Sequence, residues 1–484
     1  MEKVNLEPAS VFHYFAEVCK VPRPSKKEGK IRAYLVNFAK EQGLEHKVDE
    51  AGNVLIKKAA TPGRENLKKV ILQSHMDMVC EKNSTTQHDF DNDPIETYVD
   101  GEWMRAKGTT LGADNGIGCA TELAILASDT VEHGPLECLF TVDEETGLTG
   151  AFALKEGFMD GDILINLDSE DEGELFIGCA GGANTSAQYK YEEVPAPQDY
   201  FFFRVTVKGL TGGHSGDDIN KNRGNANKLL NRFLCQCMEK YDLYLCQIDG
   251  GNLHNAIPRE AHAICAIPAE YKEPVRVDCN VFASELQNEY SVTEPNLAVT
   301  LCSEEAQPVA IEQEAAKRFL KSIYAVHNGV YAMSQDIPGL VETSSNLASI
   351  KQGKGEINIV TSQRSSILSS RKDMSAMVCA AFELGGATTQ VGDGYPGWKP
   401  NPESPILKVA VESYKRLFGV DPKVKAIHAG LECGLFLEKY PNLDMFSTGP
   451  TLRGVHSPDE RMLISTVDKF WRHLLDVLVN VPTK

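Results

Sequence analysis

Five short stretches gather residue types that bind cations or move protons: SHMD with His75 and Asp77, GADNG with Asp114, TVDEE with Glu144 and Glu145, NLDSE with Asp168, and GVHSPDE with His456. They offer imidazole nitrogens and carboxylate oxygens and no thiol, a donor set that suits Zn²⁺ and also Mn²⁺ or Co²⁺. Asp143, Glu144 and Glu145 stand side by side after an apolar run. Adjacent carboxylates repel, and burying one unpaired is expensive. Bound divalent cations reverse that logic. Two of them, sharing a carboxylate and a water, would make a hydrolytic centre. Taken singly, each residue has a plainer reading. His75 could be a hydrogen-bonded core histidine, Asp114 a turn former and Asp168 a helix N-cap. His428, in AIHAGLECG, competes with His456 as the late imidazole.

These residues need elements that bring them together. KKVILQSHMD (68–77), LECLFTVDEE (136–145) and GDILINLDSE (161–170) each read as a short apolar strand ending in a polar cluster. Between the first two, a Gly-punctuated loop carrying Asp114 feeds an amphipathic helix. Near-continuous apolar strands alternating with helices predict an α/β domain, a mostly parallel sheet with helices on both faces. Ligands of such sheets bind beyond the carboxyl ends of the strands, where all three clusters fall. Near residue 195 the pattern shifts to alternating strands and long helices, which predicts an inserted α+β lid domain with an antiparallel sheet. A Gly/Pro-rich stretch around Gly385–Pro405 reads as a return linker, after which α/β patterning resumes. The expected organisation is 1–195 for the first part of the catalytic domain, 196–388 for the lid and 389–484 for the remainder. No internal repeat is visible.

A chain of 484 residues exceeds the roughly 250–300 at which single cores stop growing, so two domains are expected. A net charge of −19 argues against nucleic acid or an anionic membrane as partner. No apolar run is long enough to span a bilayer, and the N-terminus lacks a secretory pattern. The 13 cysteines lack framework spacing and read as reduced thiols of a cytoplasmic protein. DFDNDPIETYVD, from Asp89, mimics a calcium loop but has Pro94 where the turn glycine belongs, and it reads as a solvated acidic loop. GLTGGHSG lacks the Lys-Ser/Thr of a phosphate-binding loop.

In this order, SHMDMV, GADNGIG, TVDEETG, NLDSED and HSPDE resemble the di-zinc metallopeptidase family of carboxypeptidase G-like, tripeptidase-like and carnosinase-like enzymes. The resemblance runs over nearly the whole chain, including the lid with its GGHSG loop. It implies two divalent metal ions, Zn²⁺ foremost with Co²⁺ or Mn²⁺ as alternatives. His75 and Asp168 would bind one, Glu145 and His456 the other, and Asp114 both. Asp77 would orient His75, and Glu144 would be the general base acting on a metal-bridged water. His214 would stabilise the tetrahedral intermediate, while Asn255 and Arg364 would contact a small peptide substrate, Arg364 clamping its terminal carboxylate. Implied too are a homodimer formed through the lid and hydrolysis of dipeptides of the Xaa-His, carnosine-like type. Rival readings are a tripeptidase, a carboxypeptidase or an N-acyl amino acid deacylase of the same chemistry, and a silent metal-binding scaffold. The scaffold would have lost the base or a ligand, and this chain has all of them. Many relatives carry a second Asp after the bridging one, where this chain has Asn115.

Overall fold

Strands rich in Val, Ile and Leu without alternation must be covered on both sides. Val70–His75, Leu136–Thr141 and Ile163–Asn166 are buried at every position. They form the centre of an eight-stranded sheet in the computed structural model, which describes residues 6–484. Val70–His75 pairs in parallel with Leu136–Thr141 on one side and Ile163–Asn166 on the other, and Asp444–Ser447 extends the parallel set. Val54–Lys58 adds an antiparallel strand. Parallel pairing puts three carboxyl ends side by side: His75 ends one strand, Glu144 and Glu145 follow the second, and Asp168 follows the third.

The helix Ala113–Ala127 opens irregularly, with non-helical Asp114 (φ −82°, ψ 109°) and Asn115 (φ −106°, ψ 36°). The regular part buries Ile117, Leu123 and Ile125. Lys58 donates to the carbonyls of Ile125, Leu126 and Ser128 and so caps its far end. His456 lies on the loop between the paired strands Leu452–Arg453 and Arg461–Leu463.

The chain divides into two compact units, 1–178 with 398–426 and 431–484, and 179–397 with 427–430. The first crossing precedes the Pro-containing stretch near 195 because Gly181–Lys190 pairs with Glu356–Ser365 along its whole length. The expected return linker is partly structured, since its Thr388–Val391 pairs with the same Gly181–Lys190 strand.

In the second unit the main path of the sheet runs Ala298–Ser303, Tyr200–Lys208, Ala261–Pro268, Tyr244–Gly250, Val341–Gly353, Glu356–Ser365, Gly181–Lys190, Thr388–Val391. That order is a palindrome of topology. The first four strands, with helices Ala226–Lys240 and Lys272–Glu289, form a strand–helix–strand–strand–helix–strand unit in spatial order 4-1-3-2. The last four, with Gln313–Ala325 and Leu368–Leu384, repeat it in reverse, and the first unit is inserted after the first strand of the second. The halves join where Asp249 and Gly250 face Lys351 and Ile350. The repeat is one of connectivity alone, in a sequence where no internal repeat is visible.

Leu72, fully buried in the central strand, tests how far the sheet carries stability. Leu72→Ala should cost about 2–5 kcal/mol in chemical denaturation.

Candidate functional site

In the first unit the polar strand ends converge. His75 Nε2 lies 3.1 Å from Asp114 Oδ1 and 3.4 Å from Asp168 Oδ1. His456 Nε2 lies 3.1 Å from Asp114 Oδ2 and 3.0 Å from Glu145 Oε2. Asp114 therefore gives one oxygen to each imidazole, with Asp168 beside the first and Glu145 beside the second. His428 is elsewhere, in the other unit. His456 has a left-handed backbone (φ 60°), uncommon for a residue with a side chain.

Asp77 organises the next layer. Its Oδ1 stands 3.2 Å from His75 Nδ1 and accepts the Glu144 N–H at 3.1 Å. Its Oδ2 accepts from Ser25 Oγ at 2.7 Å and from the Glu145 N–H at 3.3 Å. One carboxylate thus orients an imidazole and fixes the backbone carrying both glutamates. Asp143 turns away from that pair at φ 48°. Its carboxylate accepts from the hydroxyls of Thr146 (2.6 Å) and Thr149, and its N–H donates to Glu28 at 3.1 Å.

The donors fit divalent cations. Tetrahedral ligands about 2.1 Å from a Zn²⁺ ion lie about 3.4 Å apart, close to the gaps found here. Ligand atoms of His75, Asp114 and Glu145 all lie within 4.8 Å of one another. Glu145 Oε1 and Asp168 Oδ1 are buried without a hydrogen-bond donor, an arrangement a cation would relieve.

The electrostatics report the same crowding. Burial lifts the Glu144 carboxyl well above the usual range, and the charges of Asp168, Glu432 and Glu145 add to it against the pull of His75. Burial likewise pushes Asp168 up to about 7. Burial would lower His75, but the Asp168 charge, the hydrogen bond with Asp114 and the close approach of the Asp168 and Asp77 carboxylates hold it well above its ordinary value. Hydrogen bonds with Asp114 and Glu145 raise His456 to about 11.

In the second unit, Arg364 lies near the end of the strand Glu356–Ser365 and is buried. Its Nη1 donates to the Tyr395 hydroxyl at 2.9 Å, its Nε to Ser215 Oγ at 3.4 Å, and its Nη2 stands 3.4 Å from His214 Nε2. His214 Nδ1 accepts the N–H groups of Gly216 (3.3 Å) and Asp217 (3.2 Å), which leaves the neutral ring's proton on Nε2. Burial and the Arg364 charge lower its pKa, keeping the ring neutral. Asn255 is exposed, and its carbonyl accepts the Ser215 N–H at 2.8 Å. His428 Nε2 lies 2.7 Å from Ser344 Oγ, and its carbonyl lies 2.1 Å from where a Cβ on Gly216 would be. The GGHSG loop therefore packs on the backbone of His428, and Gly216 cannot carry a side chain.

Residues 71–480 match the model of peptidase family M20/M25/M40. The chain belongs to that family. Over 483 residues, and 100% of both chains, it is 44% identical to the cytosol non-specific dipeptidase of Escherichia coli. The crystal structure of aminoacylhistidine dipeptidase from Vibrio alginolyticus superposes with a TM-score of 0.93 at 44% identity, covering 99% of this chain and 98% of that one. Aminopeptidase PepT from Bacillus cereus, at 16% identity and a TM-score of 0.63 over 99% of each chain, shares the fold.

Several residues of this M20 site escaped the sequence reading. Glu460, the last residue of HSPDE, is buried and accepts the N–H groups of Leu111 (2.8 Å), Gly112 (3.0 Å), Ala113 (2.8 Å) and Asp114 (3.3 Å). From the other side, buried Arg23 donates to the carbonyls of Asp77 (2.7 Å), Met76 (3.3 Å) and Gly112. The loop presenting Asp114 is thus gripped by an anion and a cation from distant parts of the chain. Below the site, a buried polar row crosses the parallel strands. Glu432 Oε2 accepts from Gln73 (2.6 Å) and Thr141 (3.0 Å), Gln73 accepts from Asn166 (2.6 Å), and Asn166 accepts from Ser447. The row pins the relative register of the strands that end in His75, Glu144 and Asp168. The motif letters carried a signal for Glu460 alone. The acidic loop from Asp89 is held by Lys27, which pairs with the Asp91 carboxylate, and by Lys30, which donates to the Asp91 carbonyl.

If Glu460 positions Asp114, Glu460→Ala should weaken metal binding roughly 10–100-fold in a chelator competition, with Glu460→Gln falling between it and wild type. The metal-free protein should also show a pH signature. Raised folded-state pKa values stabilise below the unfolded value and are lost as pH rises through the folded one. Asp168, pushed to about 7, therefore loses its contribution between its unfolded value and about 7. His456, raised to about 11, loses its share above its unfolded value, and solvent screening reduces that share because the ring is half exposed. Metal ions favour the deprotonated ligands. The Tm gap between metal-loaded and chelated protein should therefore widen from about pH 6 to about pH 8.

Proposed function

We propose that this chain is a metal-dependent dipeptidase of the cytosol that hydrolyses short peptides, Xaa-His dipeptides among them. The observation that carries the reading is the split Asp114 carboxylate, one oxygen to His75 and the other to His456, with Asp168 beside the first imidazole and Glu145 beside the second. Full-length 44% identity to a cytosol non-specific dipeptidase, and to a structure described as an aminoacylhistidine dipeptidase, supports it. Those two descriptions differ in breadth, so a substrate panel decides how narrow the preference is.

In this reading His75 and Asp168 hold one divalent ion, Glu145 and His456 the other, and Asp114 both, with Zn²⁺ the first choice and Co²⁺ or Mn²⁺ as alternatives. When bound, such ions polarise a carbonyl and ease the deprotonation of water. The protein's own residues manage protons and position. Glu144, whose carboxyl burial raises well above its ordinary value, takes a proton from the attacking water and returns it to the leaving amine nitrogen. Asp77 keeps the Glu144 and Glu145 backbone in place through the N–H groups it accepts. His214, neutral with its proton on Nε2, is the donor for the oxyanion. Arg364 clamps the substrate's terminal carboxylate, and Asn255 contacts the peptide. A clamp for a free carboxylate limits substrate length and favours dipeptides over proteins. Lid-to-lid homodimerisation belongs to the same reading, and sedimentation velocity tests it.

The decisive experiment is chelation, metal add-back and hydrolysis of Xaa-His, Xaa-Gly and N-acetyl amino acid substrates. Xaa-His and Xaa-Gly turnover that returns with metal is expected, and preferential cleavage of N-acetyl amino acids would favour the deacylase instead. Glu144→Ala should lower kcat by about 10²–10⁴-fold. Near-wild-type turnover in that variant would end the general-base assignment.

A further inference from the structure

Arg364 is buried, yet its side-chain neighbours are a phenol, a serine hydroxyl and an imidazole, none of them anionic. No carboxylate pairs with it among the described residues. A buried guanidinium without an anion is costly, so the site is built to receive one. Tyr395, in the Gly/Pro-rich stretch that reads as a linker, is the neighbour best placed to share that anion. Its phenol oxygen accepts from Arg364 Nη1 at 2.9 Å. The phenol's own proton therefore points elsewhere, and no described residue accepts it. Accepting from a cation also makes an O–H a stronger donor.

The ring cannot drift. Tyr395 N–H donates to Gly182 O at 2.8 Å, and Tyr395 O accepts from Gly182 N at 3.1 Å and from Arg371. The phenol lies against two glycines: a Cβ on Gly182 would sit 2.7 Å from the hydroxyl oxygen, and one on Gly430 2.8 Å from Cε2. Backbone from two distant segments has been kept bare to admit this side chain. A tyrosine needed only for packing would not require its hydroxyl on a buried arginine.

We propose that Tyr395 is a substrate-binding residue whose phenol O–H donates a hydrogen bond to the same terminal carboxylate that Arg364 clamps. This rests on the dipeptidase reading above and adds a specificity element to it. A guanidinium alone attracts any anion. A guanidinium with a fixed phenol donor selects an acceptor with two oxygens at the right spacing, so free acids are preferred over amides and esters.

The test compares wild type with Tyr395→Phe in the full-length, metal-loaded protein, using alanyl-alanine and glycyl-histidine and their C-terminal amides. The expected result is that Tyr395→Phe lowers the acid-to-amide ratio of kcat/KM by about ten-fold, the size of a charge-assisted hydrogen bond. Binding of alanyl-alanine and its amide, measured by calorimetry on the Glu144→Gln background, should show the same loss confined to the acid. An unchanged ratio, or equal losses for acid and amide, overturns the assignment. So does a wild-type protein that binds acid no better than amide. A wild-type protein that binds the free acid selectively yet hydrolyses no dipeptide sinks the dipeptidase reading alone, and the calorimetry then decides Tyr395 separately.

Discussion

Much of the first unit serves one constraint: a single carboxylate, that of Asp114, must face two imidazoles at once. A side chain with two free torsions does not hold that pose unaided, so its backbone is held instead. Glu460 takes four successive N–H groups of the loop, and Arg23 takes a carbonyl of the same loop together with two from the His75 strand end. Burying Glu460 and Arg23 would be expensive if either lacked partners, and each is surrounded by backbone groups that the loop would otherwise leave unsatisfied.

The parallel sheet supplies the coarse placement and the polar row supplies the fine one. Apolar side chains in adjacent strands tolerate small slips, whereas an amide such as Gln73, which accepts from Asn166 and donates to Glu432, does not. Polar networks buried this completely specify one arrangement because any other leaves a donor or acceptor empty. That explains why amides and hydroxyls sit at the strand ends or two residues before them, inside a core that apolar residues would otherwise fill.

What could be read from the letters was local. Apolar runs that stop at acids announced buried strands with chemistry at their ends, and His75, Asp114, Glu145, Asp168 and His456 come together as ordered motifs suggested. The plain alternative for His456, namely His428, lies in the other unit beside Ser344. What stayed hidden depended on long-range pairing. Arg23 acts on residues more than fifty positions away, and Glu460 on residues more than three hundred positions away. Tyr395 sat in a stretch whose glycines and prolines looked like slack chain, and the glycines that make room for its ring, Gly182 and Gly430, lie in other segments. The duplicated topology of the second unit was invisible because its halves share connectivity and not residues.

That duplication has a consequence for how the second unit holds its polar cluster. His214 follows the first strand of one half, while Arg364 closes the third strand of the other, and a continuous sheet joins them. Had two separate copies of one half met in this way, each residue would occur twice and the pairing would weaken on dilution. Fused in one chain, the encounter is intramolecular and independent of concentration. Each half is also free to drift alone, so one can keep an imidazole and the other a guanidinium with no symmetry-related twin to satisfy.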